Sequence, residues 1–219
     1  GGLIMTHSDD DGLVLPPKLA PAQVVILPLY RNDEERAVVL PYCEELKTEL
    51  TAQSYDNEPV RVRIDNRDLR GGDKKWQWIK KGVPLIVEVG PRDIADNKVM
   101  VKRRDTEGKG EPIARAEFVS SVAHRLAEIQ TNLFDRAAKL RADVTTKIDS
   151  LPEFETYFAE TAPGGLAYCH FVDGEAMEAK LKELKVTVRC VPLDAPEESG
   201  KCIFTGAPST KRGVFAKAY

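Results

Sequence analysis

The chain has 219 residues, of which 42% are apolar and 31% charged, enough for one large or two small domains with a buried core. No apolar run reaches the ~18 residues a membrane helix needs, no basic–apolar–small leader opens the chain, and four cysteines set far apart lead us to expect a reducing, cytoplasmic setting. The net charge of −3 argues against a protein that holds nucleic acid by bulk attraction, but does not exclude a local basic surface.

Residues 3–5 are apolar, as in a strand, and His7-Ser8-Asp9-Asp10-Asp11-Gly12 is a turn-like acidic phrase. Val14-Leu15-Pro16-Pro17 is extended. A first strand with no partner nearby in sequence reads as the end of something larger.

Val24–Leu27 is a continuous apolar run ending at Pro28, the pattern of a buried parallel strand. Asn32 and Glu35 form a capping-box pair that opens a helix. Val39, Tyr42, Leu46 and Leu50 recur at helical spacing, and Pro41 should kink that helix or mark its effective start. Val60, Val62 and Ile64 alternate as a second strand. Gly71-Gly72 breaks the chain before a short helix from about Asp73 to Lys81. Pro84–Val89 is a third strand stopped by Gly90-Pro91. Lys98–Arg104 is a fourth, and a turn at Glu107–Gly110 adds an antiparallel edge.

A long helix is expected from about Arg115 to Ile148, with one apolar stripe from Phe118 through Leu133 to Val144. The alternation predicts an α/β fold: a mixed, mostly parallel sheet with helices on both faces. After Asp149–Pro152 the pattern changes to a small α+β domain. Its expected helices are Phe154–Glu160 and Glu175–Lys185, its strands Leu166–Phe171 and Val186–Val191, with two short strands near Cys202 and Val214. The expected domains are therefore 1–20, 21–148 and 149–219.

The charge is sorted. From Arg61 to Lys81 there are eight Lys/Arg against three Asp, and from Lys98 to Arg115 six basic against three acidic residues. Such runs are either solvated faces or a binding surface. Catalytic signatures are absent: no Gly-rich nucleotide loop, no nucleophile motif, and His7, His124 and His170 are scattered. The acidic run at 9–11 is a solvated turn or a weak cation site. Cys43, Cys169, Cys190 and Cys202 form no close pair, so buried free thiols are expected in place of a disulfide framework or zinc site.

Val62–Asp93 resembles the anticodon-binding domain of class II aminoacyl-tRNA synthetases, most closely prolyl-tRNA synthetases of the archaeal and eukaryotic type. The resemblance rests on Asp65-x-Arg67-Asp68, Gly72-x-Lys74, Trp78-x-x-Lys81-Gly82-Val83-Pro84 and Glu88-x-Gly90-Pro91-Arg92-Asp93. Residues 7–26 resemble the join between that family's catalytic and anticodon domains, and residues 190–219 its extra C-terminal domain. The resemblance implies tRNA-Pro as partner, a homodimeric parent enzyme that joins proline to tRNA using ATP and magnesium, and a piece that is inactive alone and monomeric. It implies that a terminal tyrosine, here Tyr219, reaches toward the catalytic site. Relatives carry a four-cysteine zinc site. Only Cys202 is kept; its partner position is Thr205, the other pair falls near Val172 and Met177, and Cys190 matches a non-ligand, so zinc loss is expected.

Proline anticodons share two guanines, whose O6 and N7 accept from Arg or Lys and whose N1 and N2 donate to Asp or Glu. The candidate readers are Asp65, Arg67, Glu88, Arg92, Asp93, Lys102 and Arg104; Lys74, Lys75, Lys80 and Lys81 would contact phosphates. Trp76 or Trp78 is a stacking face or a core residue. The rival expectation is a protein-interaction or regulatory domain that reuses this fold without tRNA specificity.

Overall fold

A computed structural model describes residues Gly1–Ala218. Tyr219 and the role expected of it lie outside the described residues. The chain divides into two compact units, residues 1–137 and residue 138 onward.

In the first unit the elements are α1 (Gly2–His7), β1 (Val24–Pro28), α2 (Asp33–Thr51), β2 (Ser54–Tyr55), β3 (Glu58–Pro59), β4 (Val62–Ile64) and α3 (Gly71–Lys80). They continue with β5 (Leu85–Val89), α4 (Pro91–Ala95), β6 (Lys98–Arg103), β7 (Glu111–Ala114) and α5 (Arg115–Asp143), the helix within which the unit boundary falls. The main sheet has the order β4-β1-β5-β6-β7. β1 pairs in parallel with β4 and β5; β6 is antiparallel to β5 and to β7. The expected mixed sheet therefore holds, with β6 alone reversed.

β1, flanked by its parallel neighbours β4 and β5, explains the layering. The chain leaves β1 for β4 on one side and then crosses to β5 on the other. Two right-handed crossovers in opposite directions put their helices on opposite faces. Val24 and Ile26 accordingly pack with Val39, Leu46 and Leu50 of α2 and with Phe118, Val122, Leu126 and Ile129 of α5. Val25 and Leu27 pack on the other face with Ile86, Val83 and Ile79 of α3. All four β1 valine, isoleucine and leucine side chains are fully buried, which is why the run shows no alternation.

Several elements differ from the sequence reading. Residues 2–7 form a helix with none buried, in place of the expected strand. A lone strand has no ladder to satisfy its backbone, whereas a helix closes its own hydrogen bonds. α2 starts at Asn32, whose side chain accepts from the Glu35 N–H at 2.8 Å, and continues through Pro41. Gly71 and Gly72 open α3; they do not precede it as a break. Asp56 and Asn57, with φ of 58° and 65°, make the tight turn of a β2–β3 hairpin that the sequence reading lacked. The long helix stops at Asp143 and not near Ile148, because the β-branched Thr145 and Thr146 pair with a strand of the second unit.

That second unit holds β8 (Thr145–Lys147), α6 (Leu151–Tyr157), β9 (Leu166–His170), α7 (Glu175–Leu184), β10 (Val186–Cys190), β11 (Gly200–Lys201), β12 (Pro208–Ser209) and β13 (Arg212–Lys217). Its sheet order is β10-β13-β9-β8. Phe154 sits edge-to-face against Phe158 and Phe215, and these three rings with Ile148, Met177 and Leu181 form its core.

Residues 9–15 form a strap on the first unit. The Leu13 N–H donates to the Lys80 carbonyl at 3.1 Å and the Leu15 N–H to the Gly82 carbonyl at 3.0 Å. Gly82 has φ +74°, and a Cβ there would lie 2.5 Å from the Leu13 carbonyl oxygen, so only glycine fits. The buried Arg104 guanidinium grips both Asp9 oxygens at 2.6 and 2.5 Å and donates through Nε to the Ile79 carbonyl at 3.0 Å. These hydrogen bonds from Arg104 hold the Asp9 carboxyl below its ordinary range.

Asp9→Ala would leave a buried cation without its carboxylate, a loss of about 2–3 kcal/mol at pH 7 measured by urea unfolding. Because the folded carboxyl titrates lower than the unfolded one, the contribution is present above the ordinary carboxylate range and lost as pH falls below it. The difference between wild type and Asp9→Ala should therefore shrink in acid; an unchanged difference at pH 2 contradicts the linkage.

Candidate nucleic-acid interface

Open α/β sheets bind ligands outside the carboxyl ends of their parallel strands, where neighbouring crossovers diverge. In the first unit a cleft of about 680 Å³ lies at that place, beyond the ends of β4, β1 and β5. The segment after β1 contributes Tyr30 and Arg31, the segment after β4 contributes Arg67, Asp68 and Arg70, and the start of α4 contributes Arg92 and Asp93. Helices α2, α3 and α4 all begin at this cleft. Their N-terminal N–H groups add positive potential to that of the arginines.

Arg67, Lys74, Arg92 and Asp93 of the expected set line the cleft. Arg92 is exposed. Asp93 uses one oxygen to cap its own helix, accepting from the Gly90 N–H at 2.8 Å. Asp65 lies at the end of β4 but is not an open base reader. Its side chain is 1% exposed, and both oxygens accept from Arg67, through Nε at 2.8 Å and Nη2 at 2.7 Å. The Trp78 indole N–H donates to the same carboxylate at 2.7 Å. Lys74 is also buried, and its ammonium donates to the Asp65 carbonyl at 3.3 Å.

Glu88 faces α3 and forms an ion pair with Lys75, so neither is a free charge. Lys80 and Lys81 are exposed, with their ammoniums over the rings of Trp76 at 5.3 Å and Trp78 at 4.5 Å. Lys102 and Arg104 lie elsewhere. Lys102 is opposite Ile86 in the β5–β6 register, roughly 10 Å along the strand from Val89, and Arg104 is farther still. Both line a second cleft of about 480 Å³ with Asp9 and Arg136. The seven expected readers are thus divided between two ends of the sheet. Arg31, Tyr30 and Arg70 were missing from the expected set; their only sequence signal is position, directly after a buried strand or before a helix start.

Neither Cys43 nor His124 of the first unit is set up for nucleophilic chemistry. Burial pushes the Cys43 thiol up to about 12, and His124 is exposed beside Glu128 at 3.3 Å. In the second unit burial likewise pushes Cys169 up to about 12. Cys202 is buried, which raises its thiol, but hydrogen bonds from the Thr205 hydroxyl and from the N–H groups of Phe204, Thr205 and Val172 outweigh this and hold it below its ordinary value. Positions 172, 177, 202 and 205 carry one thiol among them, which does not fit a tetrahedral zinc ion. Among the described residues no group of three or more His, Cys, Asp or Glu could hold a metal, and no helix is long and apolar enough to cross a membrane.

Arg67 holds the Asp65 carboxyl down at about 2 against an ordinary 3.8, opposed by burial and helped by Trp78. Its stabilising contribution is therefore full above about 3.8 and fades as pH falls through about 2. In an acid titration the Trp78 indole N–H resonance should change with a midpoint near 2; a midpoint near 3.8 would mean the carboxylate is not gripped.

Residues 23–125 match the family model described as an anticodon binding domain, and residues 154–219 match that of the prolyl-tRNA synthetase C-terminal domain. Over its whole length the chain is 51% identical to the proline--tRNA ligase of Rhodopirellula baltica and 51% to that of Bdellovibrio bacteriovorus. It is 50% identical to proline--tRNA ligase 2 of Anaeromyxobacter dehalogenans. It spans 44%, 44% and 45% of the lengths of these relatives. By these matches the chain carries an anticodon-binding domain followed by the C-terminal domain of prolyl-tRNA synthetases.

Proposed function

We propose that the cleft beyond β4, β1 and β5 reads the anticodon of tRNA-Pro, as the selecting part of an enzyme that joins proline to tRNA at the expense of ATP. The observation that carries this reading is the convergence of Arg31, Arg67, Arg70 and Arg92 with Asp93 on one cleft of the anticodon-binding domain. Arginine forks suit guanine O6 and N7, and the carboxylate of Asp93 suits guanine N1 and N2. Anticodon bases are single-stranded and can be splayed into such a cleft, where Tyr30 offers a ring for stacking. The exposed Lys80 and Lys81 contribute phosphate attraction without reading sequence. ATP, magnesium and proline would be handled by parts of the parent enzyme that this chain does not match, and none of the residues described above is assigned to them.

The test is binding of the 219-residue chain to a proline anticodon stem-loop, and to the same loop with each guanine changed to adenine, across a salt series. Each change should weaken binding by roughly tenfold or more, at about 1–3 kcal/mol per base contact. Arg92→Ala should cost a similar amount, whereas Lys80→Ala should weaken all loops alike and reduce the salt dependence. Weak binding that ignores both guanines would favour the protein-interaction reading.

A further inference from the structure

Asp65 and Arg67 stand two residues apart, and both attract attention as base readers. Their geometry separates their roles. A guanidinium carries five N–H donors, one on Nε and two on each terminal nitrogen. Arg67 spends Nε and one Nη2 hydrogen on Asp65, and one Nη1 hydrogen on the Gln77 side-chain oxygen at 2.9 Å. One N–H on each terminal nitrogen is left. The Arg67 side chain is 45% exposed and lines the cleft, while the carboxylate beneath it is buried.

The carboxylate is itself held. Besides Arg67 it accepts from the Trp78 indole at 2.7 Å, and the Asp65 backbone carbonyl accepts from the buried Lys74. Gln77 and Trp78 are neighbours on α3, so one helix turn supplies both the acceptor for Nη1 and the donor to Asp65. A long arginine would otherwise sample many rotamers, and ordering it on binding would cost affinity. Here it is ordered beforehand.

We infer that Asp65, Gln77 and Trp78 are positioning residues that hold Arg67 so that its two remaining terminal N–H groups grip the O6 and N7 edge of one anticodon guanine. This rests on the anticodon reading above. Asp65 then contributes to specificity without touching the base. A bidentate fork accounts for the demand on orientation, since a lysine ammonium is a point charge that needs no such hold.

The experiment replaces each guanine of the stem-loop in turn by 7-deazaguanine, which lacks the N7 acceptor, alongside the adenine controls. At one position wild type should lose about tenfold in affinity on loss of N7. Arg67→Lys, which keeps the charge, should abolish that sensitivity and leave the salt dependence unchanged. Asp65→Asn risks misfolding, so the positioning claim is tested on α3. Gln77→Met and Trp78→Phe should reduce the N7 sensitivity by about threefold or more, while Gln77→Glu, which keeps the acceptor, should retain it. A purely structural role would lower stability without changing the guanine to 7-deazaguanine ratio. If wild type distinguishes guanine from adenine but ignores N7 at both positions, the Arg67 assignment is wrong and the anticodon reading stands. Full N7 sensitivity in Gln77→Met and Trp78→Phe overturns the positioning role alone. N7 sensitivity left intact in Arg67→Lys overturns the inference, and a shallower salt dependence in Arg67→Ala with N7 sensitivity intact makes Arg67 a phosphate contact. Failure to distinguish guanine from adenine at all overturns the anticodon reading and this inference together.

Discussion

A single strand buried on both faces organises the first unit. β1 pairs on either side with a parallel neighbour, and the crossovers from β1 to β4 and from β4 to β5 run in opposite directions. That arrangement forces one helix onto each face and leaves a gap at the carboxyl ends where no connection passes overhead. The cleft is a consequence of the topology, and so is its chemistry. The three segments that leave the ends of β1, β4 and β5 each contribute at least one arginine to it. Helix starts supply further N–H groups without any side chain being required.

Charge burial decides which residues remain available. A chain of net charge −3 can still present cations, provided the acids are sequestered or placed elsewhere. Asp65 and Asp105 are buried beneath arginines, and Glu88 is paired with Lys75. Several residues that look like surface charges in the sequence are therefore internal partners. The strap at residues 9–15 follows the same logic: its acidic phrase supplies the counter-ion of the buried Arg104.

The strands were legible because burial writes itself into composition. Val24–Leu27, Leu85–Val89 and Lys98–Arg103 show continuous or alternating apolar patterns that sheet position explains. The family resemblance was legible in the loops, where Gly90-Pro91-Arg92-Asp93 and Asp65-x-Arg67 stand together. Grouping those loops into a site was only partly legible. Which ends of strands meet depends on direction and register, so Lys102 and Arg104 were placed with Arg92 although they lie toward the other end of β5. Arg31 and Arg70 carry no motif and become candidates only once the strand ends are known. Partnering was the other hidden quantity: the sequence cannot show that Asp65 is enclosed by Arg67 and Trp78. The helix at Gly2–His7 and the strand at Thr145–Lys147 were missed because short segments have too few residues for a period to register.

The placement of recognition at the carboxyl ends of β4, β1 and β5 is tested most directly by mapping backbone amide perturbations on binding a proline anticodon stem-loop. Changes should concentrate at residues 30–31, 67–74 and 90–93, with Lys102 and Arg104 little affected. Perturbations centred on residues 102–108 and Arg136, with residues 90–93 silent, would place the interface at the second cleft and contradict this assignment.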